Sequence, residues 1–324
     1  MKKAKSREIV MLSVLEVKRK LPKKFVENLY NLFTPVTVDK ILTGLNGKRN
    51  VTLRVNNLKY SIQELMKQLK EKNIKFERVS FYNDALIIKN ATEKEVQNLE
   101  IYKKGYIYLQ SLSSMIPALI LNPKPGEKVL DLTAAPGGKT TQMAAIMQNK
   151  GYILANELDK IRCQRLEYNV KMQGADIVEV SNRRGEIIGK IYQNNFDKVL
   201  LDAPCSGEGT FLANDVKTYR NWSEKTKLEL SKMQRKLLKS AVEAVKPDGL
   251  IVYSTCTMNK EENEQIIKWA IDELKVKIVS IDFELKNVIS GFEVEEDEIL
   301  KKAIRVLPNE NYEGFFVAKL QKRK

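Results

Sequence analysis

Residues 128–140 read Lys128-Val129-Leu130-Asp131-Leu132-Thr133-Ala134-Ala135-Pro136-Gly137-Gly138-Lys139-Thr140. The spacing predicts a strand over Lys128–Leu132, a turn of small residues, and a helix over Lys139–Met147. Such a turn lets the backbone approach a ligand closely, and the free amides at the helix start attract its negative group. Gly138-Lys139-Thr140 imitates the end of a phosphate-binding P-loop. That motif needs glycine five positions before its second glycine, and position 133 is Thr, so the P-loop is excluded.

The same alternation continues downstream. Tyr152–Leu158, Ile177–Val180, Lys198–Asp202 and Leu250–Ser254 have strand character. Lys160–Met172 and Leu228–Val245 are helical, the latter ended by Lys246-Pro247-Asp248-Gly249. This rhythm predicts an α/β fold, a parallel sheet with helices on both faces, binding ligands beyond the strands' carboxyl ends. Upstream, Lys23–Phe33, Val36–Leu42 and the apolar face of Ile62, Leu65, Met66 and Leu69 are helical. Val51–Val55 and Ala85–Lys89 are strands, and Glu93–Leu99 is a short helix, which together suggest a small α+β module. The division expected is 1–103 and 104–324.

Charge follows that division. The 324-residue chain has a net charge of +15. Residues 1–103 hold 22 basic and 11 acidic side chains, whereas the rest hold 34 and 30. A polyanion should therefore meet the first module. The absence of histidine removes His-based zinc sites, Ser-His-Asp triads and imidazole bases. Three cysteines are too few for a disulfide scaffold and fit a reducing compartment. Lys2–Arg7 with Ile9–Leu15 imitates a signal peptide, but Glu8, Glu16 and Lys18-Arg19-Lys20 argue for a basic amphipathic start. No apolar run is long enough to span a membrane. The acidic run Glu293–Glu298 is expected to be a solvated loop.

Glu157 ends the second strand about twenty residues past the Gly-rich turn, placed to accept hydrogen bonds from ribose hydroxyls, so an adenosine cofactor is expected. Cys205, in Asp202-Ala203-Pro204-Cys205-Ser206-Gly207-Glu208-Gly209, and Cys256, in Ser254-Thr255-Cys256-Thr257, each follow a strand end. If those strands are neighbours, both thiols open into one crevice. Buried thiols are the commoner fate of cysteine, but these sit in turns of small polar residues. Cys163, within a helix, is read as structural.

These strings, with Tyr108-to-Ser114, Glu261-Glu262-Asn263-Glu264, Arg305-Val306-Leu307-Pro308 and Glu313-Gly314-Phe315-Phe316, resemble the RsmB/RsmF/NSUN (Sun) family of S-adenosylmethionine-dependent RNA cytosine-5 methyltransferases. The resemblance covers nearly the whole chain, and its layout is that of the RsmF-like branch. It implies a Rossmann-like class I methyltransferase domain preceded by an RNA-binding domain. It further implies Cys256 as nucleophile toward cytosine carbon 6, Cys205 for the resolution step, Asp202 against the base edge, and Lys139 orienting Asp202. Thr133, Ala134, Ala135, Pro136, Gly137, Gly138, Lys139, Glu157, Asn182 and Asp202 would line the cofactor, with no metal.

Three positions depart from the family's pattern: Thr133 stands for Cys, Asn182 for an Asp on the adenine amine, and Asn309 for His. RNA, with rRNA ahead of tRNA, is the expected partner, the protein a cytoplasmic monomer. Two other readings stay open here. One is a catalytically idle RNA-binding assembly factor; the other is DNA cytosine methylation, for which Pro204-Cys205 has the context.

Overall fold

A computed structural model describes residues 12–285, 287–294 and 298–324. The basic stretch Lys2–Arg7 and the middle of the acidic run Glu293–Glu298 lie outside the described residues.

The chain starts with three helices, α1 (Val14–Lys20), α2 (Lys23–Leu32) and α3 (Pro35–Gly44). Ser13 and Glu16 form a capping box on α1, and Thr34 with Pro35 starts α3, each satisfying otherwise orphaned amides. The apolar faces of these helices pack on Phe211, Tyr219, Met258 and Leu307 from the second half of the chain. Phe25 meets Phe211 edge-on at 5.0 Å.

A small antiparallel sheet follows, of β1 (Val51–Val55), β2 (Phe76–Arg78), β3 (Ala85–Ile88) and β4 (Ile107–Leu109), in the order β2-β3-β1-β4. Helices α4 (Ile62–Glu71), α5 (Glu93–Gln97) and α6 (Glu100–Lys103) bury Leu65, Leu69, Val96 and Ile101 against Leu53 and Val55. All five β1 residues are buried. The alternation of Val51–Val55 would leave a polar face in water. Instead the Arg54 side chain on that face reaches Gly138 and Thr141, in the helix that follows the Gly-rich turn.

Helix α7 (Leu112–Leu121) leads into the large sheet. Its strands are β5 (Lys128–Asp131), β6 (Tyr152–Asn156), β7 (Val178–Ser181), β8 (Phe196–Asp202), β9 (Val245–Thr255), β10 (Val276–Val279), β11 (Val288–Ser290), β12 (Ile304–Val306) and β13 (Phe315–Lys322). Among the described residues they run β11-β12-β13-β9-β8-β5-β6-β7, with β10 also on β13. From β7 to β9 every pairing is parallel; β13 is antiparallel to β9.

Helices α8 (Gly138–Ile146), α9 (Lys160–Gln173), α10 (Gly185–Ile191), α11 (Glu224–Ala244) and α12 (Glu264–Glu273) complete the fold. Successive residues of β8 point to opposite faces: Val199 and Leu201 join a core with Ile188, Leu237 and Ile266, while Leu200 joins one with Ile116 and Met143. This two-sided burial is why the parallel strands read as continuous apolar runs.

The chain runs outward from β5 through β6 and β7, then returns to β8 on the other side of β5. That reversal opens a crevice at the carboxyl ends of β5 and β8. One expectation is corrected. Lys246-Pro247-Asp248-Gly249 does not separate helix from strand but lies inside β9. Val245 pairs with Phe196, the register then shifts, and Leu250 pairs with Lys198. Asp248, at φ 62°, makes this bulge possible. No helix among the described residues is long and apolar enough to cross a membrane.

Candidate active site

Two adjoining cavities open into the crevice. The larger, about 680 Å³, is lined by Asn156, Glu157, Gly185, Pro204, Cys205 and Leu237 among others. The smaller, about 370 Å³, is lined by Tyr108, Gln110, Ser114, Lys139, Glu313 and Phe315 among others. Thr133, Ala135, Asp202, Ala203 and Cys256 belong to both walls.

β8 and β9 are parallel neighbours with Asp202 opposite Ser254, so the segments that follow emerge side by side. The Cys205 and Cys256 sulfurs are 3.2 Å apart, as free thiols. The hydrogen bond to Cys256, reinforced by burial, pushes the Cys205 thiol well above its ordinary range. In their contact either sulfur can be the donor. Cys163 is buried in α9 with a thiol pushed up by burial.

Lys139, in the first turn of α8, donates to Asp202 Oδ2 and to Ser114 Oγ, each at 2.7 Å. Ser254 Oγ donates to the other carboxylate oxygen at 2.7 Å, and Thr133 Oγ1 donates to the Asp202 carbonyl at 2.9 Å. The Lys139 ammonium also sits 5.6 Å from the Phe315 ring centre. Asp202 is thereby held from both sides and cannot rotate freely. Beneath it, burial pushes the Asp131 carboxyl up to about 7.

The Gly-rich turn divides its residues between the cavities. Thr133 and Ala135 line both, and Ala134, Pro136, Gly138 and Lys139 line the smaller. Gly137, at φ 103°, caps α8. A side chain there would be strained by the backbone and would meet Leu166 at 2.9 Å. Glu157 is 5 % exposed; its carboxylate accepts the Asp159 N–H at 2.9 Å and lies 3.5 Å from the Arg162 guanidinium. Arg162 also donates to the Ala135 carbonyl, tying α9 to the loop. The Asn182 amide nitrogen donates to the Glu157 and Leu158 carbonyls at 2.7 and 2.9 Å, which leaves its oxygen as the group able to accept. Asn182 supports the wall beside Glu157 rather than lining either cavity.

A family model described as 16S rRNA methyltransferase RsmB/F matches residues 118–321, and an RsmF/B-like ferredoxin-like domain matches residues 21–95. The chain belongs to the RsmB/F methyltransferase family. A tRNA (cytosine(49)-C(5))-methyltransferase of Pyrococcus abyssi is 36% identical over 94% of this chain and 97% of its own length. A ribosomal RNA small subunit methyltransferase F of Vibrio vulnificus is 36% identical over 93% of this chain, which spans 64% of that relative. Among solved structures, a methyltransferase homologue from Pyrococcus horikoshii superposes with a TM-score of 0.81 at 32% identity, covering 96% of this chain and 98% of that one. NSun6 from the same organism, solved with SFG, gives 0.82 at 25% identity, covering 95% and 100%.

Several residues of this RsmB/F-family site have no sequence-level role. Ser114 and Phe315 fall inside the strings that carry the family resemblance, but their contact with Lys139 joins segments far apart in the chain. Ser254 precedes a cysteine and looks like turn chemistry; its partner is 52 residues away. Gly185 has no flanking motif, yet a Cβ there would meet Leu237 at 2.7 Å on the wall of the larger cavity.

Proposed function

We propose that this RsmB/F-family chain transfers a methyl group from S-adenosylmethionine to carbon 5 of a cytosine in RNA. The observation that carries the reading is the Cys205–Cys256 sulfur contact of 3.2 Å, which sets Cys205 on the wall of the larger cavity against Cys256 on the wall common to both, beside the Lys139–Asp202 pair.

The larger cavity fits the cofactor: its volume suits an adenosyl amino acid, and its end carries the nearly buried Glu157 carboxylate for a ribose. Glu157 would hold the sugar, Gly185 and Leu237 the space beside it, and Thr133 and Ala135 the end nearest Asp202. When bound, S-adenosylmethionine supplies an electrophilic methyl group. SFG, an analogue of that cofactor, accompanies the NSun6 relative.

The smaller cavity would take a cytosine extruded from its stack or already single-stranded. The base edge meets Asp202, which accepts from the exocyclic amine, while Lys139 holds the carboxylate in register. The Cys256 sulfur adds to carbon 6, and the ring electrons shift to make carbon 5 nucleophilic. The Cys205 S–H stabilises the attacking thiolate before addition. After methylation the carbon-5 proton must leave. Cys205, after releasing its own proton to solvent, takes it directly or through a water; the electrons of the carbon–hydrogen bond form the carbon 5–carbon 6 double bond, and the carbon–sulfur bond breaks to return Cys256 as a thiolate. The basic first module would position RNA through phosphate contacts. The relatives act on both rRNA and tRNA by name, so the acceptor is RNA of one of these classes. An idle assembly factor would have no use for two touching thiols beside an oriented carboxylate.

Labelled S-adenosylmethionine with purified rRNA or tRNA tests the reading. Cys205→Ala should accumulate an RNA adduct that survives denaturation, because addition proceeds and elimination stalls. Cys256→Ala should show neither methylation nor adduct. The opposite pattern, or no methyl incorporation by the native chain into either RNA, overturns the proposal.

A further inference from the structure

Behind the two thiols lies a buried polar cluster that the chemistry above does not use. Glu262 belongs to the segment after Cys256, yet its carboxylate reaches the residue next to the other thiol. The Ser206 N–H donates to its two oxygens at 3.0 and 3.2 Å, and Ser206 Oγ lies 2.5 Å from Oε2. Glu208 belongs to the segment after Cys205 and does the converse. The Met258 N–H donates to its Oε2 at 3.1 Å, and Thr257 Oγ1 lies 2.9 Å from the same atom. Ser206 Oγ and Thr257 Oγ1 are themselves 2.7 Å apart. Glu208 and Glu262 are almost fully buried, 2% and 0% exposed.

Burying a carboxyl group is costly unless hydrogen bonds compensate it, and here the compensating bonds run between the thiol-bearing segments. We propose that Glu208 and Glu262 form a reciprocal clamp that sets the spacing of Cys205 and Cys256, each acting as a positioning residue for the thiol of the opposite segment. The inference rests on the cytosine-5 reading and deepens it. Addition needs Cys256 aimed at carbon 6, and elimination needs Cys205 at carbon 5. The two acids therefore control different steps. Glu208 holds the segment of the nucleophile, and Glu262 holds the segment of the resolving thiol.

Further donors complete the cluster. Trp222 Nε1 donates to Glu208 Oε1 at 2.9 Å, and Gln234 and Asn259 donate to Glu262 at 3.3 and 2.9 Å. An amide nitrogen placed at either oxygen of Glu208 or Glu262 would face an N–H donor. Glu→Gln at either position is thus close in shape but breaks the clamp.

The experiment compares Glu262→Gln, Glu208→Gln and Cys205→Ala in the full chain, measuring turnover, denaturation-resistant RNA adduct, cofactor affinity and melting temperature. Misplacement of a reacting group by about 1 Å costs on the order of a hundredfold, so turnover should fall by about that factor in both glutamine variants. Glu262→Gln should accumulate adduct as Cys205→Ala does. Glu208→Gln should lose turnover and adduct together while retaining cofactor affinity. If both variants trap adduct, neither does, or turnover stays at the native level, the clamp assignment is wrong. Native turnover together with a trapped Cys205→Ala adduct shows that the cytosine-5 reading survives such a failure; absence of methyl transfer by the native chain overturns that reading itself.

Discussion

The molecule contains two arginines buried to the same degree but in opposite electrostatic settings. Arg305, on β12, donates Nε to Glu264 Oε1 at 2.7 Å and Nη2 to Oε2 at 2.5 Å, and Nη1 reaches the Met258 carbonyl. Phe33, Phe292 and Phe316 surround it. Arg54, on β1, has only neutral hydrogen-bond partners among the described residues: Gln110 Oε1 at 2.8 Å, the Gly138 carbonyl at 2.9 Å and Thr141 Oγ1 at 2.7 Å. Its Nη1 has no partner, and burial lowers the guanidinium's proton affinity. Arginine nevertheless stays charged.

A matched ion pair in the interior fixes architecture. Arg305 ties the β12 edge to α12 and to the loop after Cys256. A buried cation without a direct ion pair costs stability, and Arg54 sits where its contacts lead toward the Lys139–Asp202 pair. Gln110 passes its amide to the Ser114 carbonyl, and Ser114 holds the Lys139 ammonium. Through Gly138 and Gln110, the small sheet braces the residues that orient Asp202.

The difference can be broken experimentally. The largest effect is expected from Arg305→Met, which strands the Glu264 carboxylate in the core and should cost about 3–5 kcal/mol. Adding Glu264→Leu to that variant should recover a large part of the loss in a denaturant titration. Arg54→Met removes a charge that makes no direct ion pair among the described residues and feels only the more distant Asp84 carboxylate, so it should cost less, about 1–2 kcal/mol for the acceptors left behind. Its methyl transfer should fall out of proportion to stability, measured well below the melting point. Equal destabilisation by the two methionine variants would erase the distinction.

Asp131 gives the finest test, because it lies on the braced side of the crevice. Its folded-state value of about 7 lies above the ordinary 3.8. The folded chain therefore binds a proton that the unfolded chain releases, and stability contributed by this group is lost as pH rises from about 4 through 7. Asp131→Asn should flatten the melting temperature across that window. An unchanged slope would mean that the carboxyl titrates normally in the fold.

Much of this arrangement is legible in the residues alone, for identifiable reasons. β5, its small-residue turn and α8 carry both period and punctuation, and the two cysteines are marked by strand ends. The short strands β2, β4, β10, β11 and β12 are three or four residues long, too short for period to declare them. Amphipathic α2 announces a buried face but not that Phe211 and Trp222 cover it. Arg54 stands in an alternating strand where solvent is the natural expectation; only the second domain's approach buries it. The serines at 114 and 254 are ordinary until the fold brings a lysine and an aspartate to them.

The oxygens that join the thiol segments have one more consequence, a count of hydrogens. From Glu262 through Ser206 and Thr257 to Glu208 there are three contacts, of 2.5, 2.7 and 2.9 Å. Two hydroxyl groups bring two hydrogens, so hydrogen bonding at all three contacts requires a third. Burial raises the proton affinity of both carboxyls, and one of them is the natural source. In a chain with no imidazole, an ionisable hydrogen is thus stored on a line of oxygens whose two hydroxyls, on Ser206 and Thr257, directly follow Cys205 and Cys256 in the chain.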